Sequence, residues 1–120
     1  MTAIREVMST ELVTVEPTTT IAEAATVMGT HHVGAALVMD GDTLHGIFTE
    51  RDILGALASD FDAAKHSVET WMTRDPVTME PGDDAADALG LMLERGFRHL
   101  PIVDGEVVVG VVSMRDVTSA

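Results

Sequence analysis

The chain has no cysteine, one lysine and no long apolar run. Without cysteine there is no disulfide, no thiolate nucleophile and no zinc-thiolate site. Lys65 is the single lysine, and seven lysines and arginines face twenty aspartates and glutamates, a formal charge of −13. That balance argues against nucleic acid and anionic membrane as partners. It also marks an acidic, lysine-poor composition like that of halophilic proteins. Charge repulsion would loosen such a chain in dilute buffer, and salt near 1 M, with a Debye length of about 3 Å, would screen it. An ordinary acidic cytosolic protein is the plain alternative. No apolar stretch approaches the roughly 18 residues needed to cross a bilayer. Residues 1–6 carry no apolar signal core, so a cytoplasmic location is expected.

What is present is a repeat. Slid along itself by 64 positions, the sequence matches without a gap. Val7-Met8 falls on Trp71-Met72, and Val13-Thr14-Val15-Glu16-Pro17 on Val77-Thr78-Met79-Glu80-Pro81. Gly46-Ile47-Phe48-Thr49-Glu50-Arg51-Asp52 falls on Gly110-Val111-Val112-Ser113-Met114-Arg115-Asp116. A unit of about 60 residues is written twice, so any site occurs twice, related by a pseudo-twofold axis. Each half alone would bury too little surface for a secure core. The halves are therefore expected to pack together, with residues 1–60 as the first repeat, 61–67 as a polar linker and 68–120 as the second.

Each half gives the same coarse pattern. A helical lead-in (4–8; 68–72) precedes a short strand (12–15; 77–79) that proline stops. A helix follows, to about Thr30 and Arg95. Thr20 and Glu23 have the spacing of a capping box, with Asp84 and Asp87 in the matching places. Gly96 sits where a left-handed cap would end the second helix. Two strands come next (35–39 with 43–48; 99–103 with 107–112). Asp40-Gly41 and Asp104-Gly105 lie between them, and a hairpin turn with both central residues at positive φ is expected. A last helix opens at Thr49 or Ser113. The helix over 85–93 is apolar well beyond one stripe, and 22–28 is rich in alanine. A helix apolar nearly all round is buried on more than one side, which points to a dimer interface over a tight internal core.

The Gly-x-x-Thr/Ser-x-x-Asp segments carry the chemistry. Gly46 and Gly110 lie in a strand, where glycine is costly unless something approaches the backbone. The hydroxyl falls where strand becomes helix, and the aspartate falls in the first turn. A ribose diol can donate two hydrogen bonds to such a carboxylate. A phosphate can sit on the hydroxyl and the exposed amides, with Arg51 or Arg115 adding a charge-assisted bond. The plain alternative is a simple helix cap. Repetition at one register, with the same glycine and arginine each time, favours a site, and cap and site are compatible.

With the Met-Thr/Ser lead-in, the strand before proline and Arg98-His99-Leu100-Pro101-Ile102-Val103-Asp104, these segments resemble a tandem pair of cystathionine-β-synthase (CBS) domains, the Bateman module, over about residues 7–117. The resemblance implies an α/β (α+β) fold of two CBS repeats, each a small three-stranded sheet with flanking helices, packed with pseudo-twofold symmetry. It implies a homodimer, a flat four-repeat disc. It also implies adenosine-containing ligands, the AMP, ADP and ATP class, in clefts between the repeats. Asp52 and Asp116 would hold ribose, and Thr49 and Ser113 would contact phosphate. Ser9, Val13 and Thr14, or Thr73, Val77 and Thr78, would border the adenine, and Arg98 and His99 would reach phosphates. The first half has Gly34-Ala35-Ala36-Leu37 there, with neither base nor proline, so the two sites are expected to be unequal towards phosphate.

Other residue types add less. The histidines His31, His32, His45, His66 and His99 make no metal spacing, and surface or capping roles are expected, with His31-His32 as a loop pair. Eight methionines read as core filler, and Trp71, in the place of Val7, as packing. No catalytic constellation stands out. The expected function is a non-catalytic regulatory module that needs no cofactor, binds an adenine nucleotide and signals by conformational change to an unknown regulated protein. S-adenosylmethionine, whose cation suits the acidic chain, and NAD are alternative ligands. A ligand-free dimerisation scaffold is the alternative function, and an enzyme has only residue types in its favour.

Overall fold

The computed structural model describes residues 1–119. Two compact units are drawn, one from Val13–Pro76, the other from Met1–Leu12 with the chain from Val77 onward. Each lead-in is thus built into the unit that holds the other half's hairpin.

In the Val13–Pro76 unit, β1 (Thr14–Val15) pairs parallel with β2 (Ala35–Asp40). Strand β2 pairs antiparallel with β3 (Thr43–Thr49), and β3 with β4 (Thr73–Arg74). The three strands expected are present, and β4 adds a fourth at the edge. Only two residues long, β4 has no readable alternation. Helices α1 (Ile21–His31) and α2 (Glu50–Ser59) cover one face. There Val13, Val15, Ala36, Val38 and Phe48 pack with Ile21, Ala24, Met28 and Ala56.

The other unit repeats this at the same offset. Helix α3 (Ala85–Arg95) precedes β5 (His99–Asp104) and β6 (Val107–Ser113), and α4 (Met114–Thr118) follows. Met79 bridges Ile102 in the parallel sense and Ser9 bridges Val111 in the antiparallel sense. These are the counterparts of Val15 with Val38 and of Thr73 with Ile47. The strand expected over 77–79 is reduced to the single bridge at Met79. Leu100, Ile102 and Val112 pack with Ile4, Ala85, Ala88, Met92 and Val117.

The caps follow their chemistry. The Thr20 hydroxyl accepts from the Glu23 amide at 3.1 Å, and the Glu23 carboxylate accepts from the Thr20 amide at 3.2 Å. At α3 the box is incomplete: Asp84 accepts from the Ala86 amide, and no return bond from Asp87 is seen among the described residues. Gly96 ends α3 in the left-handed region at φ 83°. His32, 64 positions earlier, does the same for α1 at φ 54°, so it is a helix cap and not simply part of a loop pair.

Two expectations need correction. In the hairpins Gly41 (φ 60°) and Gly105 (φ 65°) have positive φ, whereas Asp40 and Asp104 do not. The strands run through both aspartates, so the central pairs are Gly41-Asp42 and Gly105-Glu106, with positive φ needed only at the first position. Residues 61–67 are also more than a polar linker. Ala63 is fully buried, and the His66 carbonyl accepts from the Ile21 amide at 2.9 Å, holding the segment against the start of α1.

Candidate functional site

Partners directly across a sheet share a face, and neighbours along a strand alternate. Thr14, Leu37, Ile47 and Thr73 form one row, and Ala35 and Thr49 lie on that same face. This is the face away from α1 and α2. In the other unit Ser9, Pro101 and Val111 form the matching row, with His99 opposite Ser113. The backbone thus gathers Thr14, Thr49 and Thr73 in one unit, and Ser9, His99 and Ser113 in the other. Thr78 stands in the place of Thr14. Val13 departs from the expectation: it is buried in the helix-side core, because its parity is that of Val15. Val77, its counterpart, is 38% exposed.

Each hairpin runs straight into a capped helix. The Thr49 amide donates to Asp52 Oδ2 at 2.9 Å, and the Thr49 hydroxyl donates to the same oxygen at 3.1 Å. The Asp52 amide returns a bond to the Thr49 hydroxyl at 3.3 Å. In the second copy the Ser113 amide donates to Asp116 Oδ2 at 2.8 Å, and the Asp116 amide to the Ser113 hydroxyl at 3.1 Å. Both aspartates are half-buried, and both capping bonds fall on Oδ2. The caps therefore leave Oδ1 of each carboxylate out of the box. Burial raises the Asp52 carboxyl above the ordinary carboxylate range, and the bonds from Thr49 and the Arg51 charge only partly oppose it.

The strand glycines have a cause inside the chain. A Cβ on Gly46 would lie 2.6 Å from both Met72 Sδ and the Thr73 carbonyl oxygen. On Gly110 it would lie 2.7 Å from Met8 Sδ and 2.9 Å from the Ser9 carbonyl oxygen. The approach that glycine permits is made by the lead-in, not by a ligand. The sequence offered the Met-Thr and Met-Ser pairs as motif, but gave no sign of where they would land.

Each corner has its own arginine, Arg51 or Arg115, and further basic residues stand beside one corner only. The Met114 amide donates to the Arg98 carbonyl at 2.8 Å, which sets Arg98 and His99 next to the Ser113–Asp116 turn. The equivalent bond, from the Glu50 amide to Gly34 at 3.0 Å, brings no base. Arg51, Arg98 and Arg115 are exposed. Glu50, which sequence reasoning passed over, occupies the place of Met114.

Elsewhere, His66 lies 3.4 Å from Asp60 and His45 3.8 Å from Asp40. No group of metal-ligating side chains is found among the described residues. The indole nitrogen of Trp71 is buried without a hydrogen-bond partner among them. A cavity of about 430 Å³ lined by Arg5, Glu80, Gly82 and Asp104 contains none of the candidate residues. No helix of the described residues is long and apolar enough to cross a membrane.

Comparison with known proteins decides the family. The CBS-domain model matches residues 4–59 and again 68–120. The chain belongs to the CBS-domain family. This CBS pair superposes on the crystal structure of a CBS-domain protein from Agrobacterium tumefaciens with a TM-score of 0.93, at 31% identity, covering 98% of each chain. It also superposes on the CBS domain pair of protein MJ0100 in complex with 5′-methylthioadenosine and S-adenosyl-L-methionine, with a TM-score of 0.90 at 28% identity, covering 98% of this chain and 94% of that one. The structure of CBSX2 in complex with AMP matches with a TM-score of 0.84 at 25% identity, covering 98% and 93%. The mixed α/β fold with flanking helices is that of these CBS pairs.

Proposed function

We propose that this CBS pair is a non-catalytic regulatory module that binds adenosine-containing ligands at the Asp52 and Asp116 corners. The observation that carries the reading is the duplicated carboxylate, half-buried, with Oδ2 held by its own cap and Oδ1 outside it. A carboxylate positioned in this way is pre-organised to accept bonds from a ribose diol. The similarity to MJ0100 and CBSX2, crystallised with adenosine compounds, supports the class of ligand. AMP, ADP and ATP are the first candidates, with S-adenosylmethionine and NAD as alternatives. Arg98, His99 and Arg115, with the Ser113 hydroxyl, would contact a phosphate, Arg51 and the Thr49 hydroxyl would face the ligand at the Asp52 corner, and Ser9, Thr14, Thr73, Val77 and Thr78 would border the base. A ligand shifts the module only through a difference in affinity between two states, and a partner protein would read that shift. The proposed module acts as a homodimer in the cytoplasm.

Calorimetry with AMP, ATP, NAD and S-adenosylmethionine tests the reading. Asp52→Asn and Asp116→Asn keep an oxygen for the cap while removing the charge, and Asp→Ala removes both. Heat in the wild type that is lost in the double Asn variant supports it; no heat with any ligand overturns it. The second reading, a ligand-free scaffold, has one observation in its favour: each carboxylate already has a structural duty in a reciprocal cap. It predicts that the double Asn variant changes no binding to small molecules.

A further inference from the structure

The two corners share a backbone and differ in charge. Glu50, Arg51 and Asp52 follow Thr49 directly in sequence and sum to minus one. At the other corner Met114 replaces Glu50, and the Met114 amide bond brings in Arg98, so Arg98, Arg115 and Asp116 sum to plus one, with His99 opposite Ser113. The hydroxyls differ as well. That of Thr49 donates to Asp52 at 3.1 Å. That of Ser113 accepts from the Asp116 amide and makes no bond as a donor among the described residues. A phosphate needs donors and positive charge, and a neighbouring carboxylate repels it.

We infer that the corners are specialised: the Asp116 corner takes an adenosine ligand that carries phosphate, and the Asp52 corner takes one that carries none, whether neutral or cationic. This rests on the reading above, that the two aspartates receive a ribose. Arg98 and Glu50 are then the specificity-determining residues, one recruiting phosphate and the other refusing it. Both are exposed, so their replacement spares the core.

The test is calorimetry on the full chain at low salt, where charge is least screened, with adenosine and AMP as probes. Asp52→Asn isolates the Asp116 corner, which is expected to bind AMP at least about tenfold more tightly than adenosine, the change one charge-assisted contact brings. Adding Arg98→Ala is expected to erase most of that preference. Asp116→Asn isolates the Asp52 corner, which is expected to bind adenosine at least as well as AMP. Adding Glu50→Met is expected to strengthen AMP and leave adenosine unmoved. Equal AMP-to-adenosine ratios at the two corners, or ratios indifferent to Arg98→Ala and Glu50→Met, overturn the inference while the ribose reading stands. No binding of either probe to the wild type overturns both.

Discussion

Gly110 lies against the backbone of Ser9: a Cβ there would stand 2.9 Å from the Ser9 carbonyl oxygen, which itself accepts from the Val111 amide at 3.0 Å. Gly46 stands in the same relation to Thr73, at 2.6 Å. A methionine sulfur lies as close or closer and can move aside, but the carbonyl is backbone fixed by the ladder and cannot. Gly46→Ala and Gly110→Ala are each expected to destabilise by about 1–3 kcal/mol, the range of overpacking. Urea denaturation measures this, and a loss below about 0.5 kcal/mol would show that the lead-ins are not held so closely.

The same pair shows how far the sequence could be read. A strand glycine signals close approach, and the repeat signals that it happens twice, but neither says what approaches. That depends on residues 8–9 and 72–74, whose pairing of one or two residues leaves no periodic trace. The hydroxyl-carboxylate corners were legible because a cap is local: Thr49 and Asp52 are three residues apart, and their bonds need no tertiary information. The base beside Ser113 was legible as motif, and Glu50 was missed because an isolated exposed glutamate carries no pattern. The burial of Val13 is settled by strand parity, visible only once the register with Leu37 is known.

Two caps of the same design should respond oppositely to pH. The Glu23 carboxyl lies below its ordinary range, chiefly because the Thr20 hydroxyl, and then its amide, bond the charged form at an exposed site. Its stabilising effect is present above the ordinary value and is lost as pH falls through the folded-state value. Asp52 lies above its ordinary range because burial penalises the charge. Its effect is complete below the ordinary value and is lost as pH rises through the folded-state value. At neutral pH, Glu23→Gln is expected to lower the urea midpoint and Asp52→Asn to leave it equal or higher. Stability curves across the carboxylate range check the signs, and a fall in the Asp52→Asn midpoint at neutral pH contradicts the burial argument.

Salt should stabilise the fold. With a net charge of −13 on 120 residues, mutual repulsion opposes compaction. Raising NaCl from about 0.1 M to about 1 M shortens the Debye length from about 10 Å to about 3 Å. The melting temperature is expected to rise by several degrees. Glu11, Glu16 and Asp42 are exposed, so a triple change to the neutral amides should raise the low-salt value and flatten the salt response. An equally steep response in that variant would assign the effect to general salting-out.

Exposed helix glycines would tie stability to the proposed assembly. Gly29 in α1 and Gly90 in α3 are exposed, and a Cβ at either would meet nothing within 4 Å. Nothing in the chain itself repays their cost in a helix, about 1 kcal/mol each against alanine. Leu93, also on α3, is 68% exposed. If a second copy packs on these faces, the missing side chains are what lets it approach. Gly90→Ala is then expected to stabilise the isolated fold by about 0.4–1 kcal/mol, and Gly90→Leu to dissociate the proposed homodimer at micromolar concentration. Sedimentation equilibrium reads the association and denaturant melts read the fold. A Gly90→Leu protein that associates as tightly as the wild type would rule this face out as the contact.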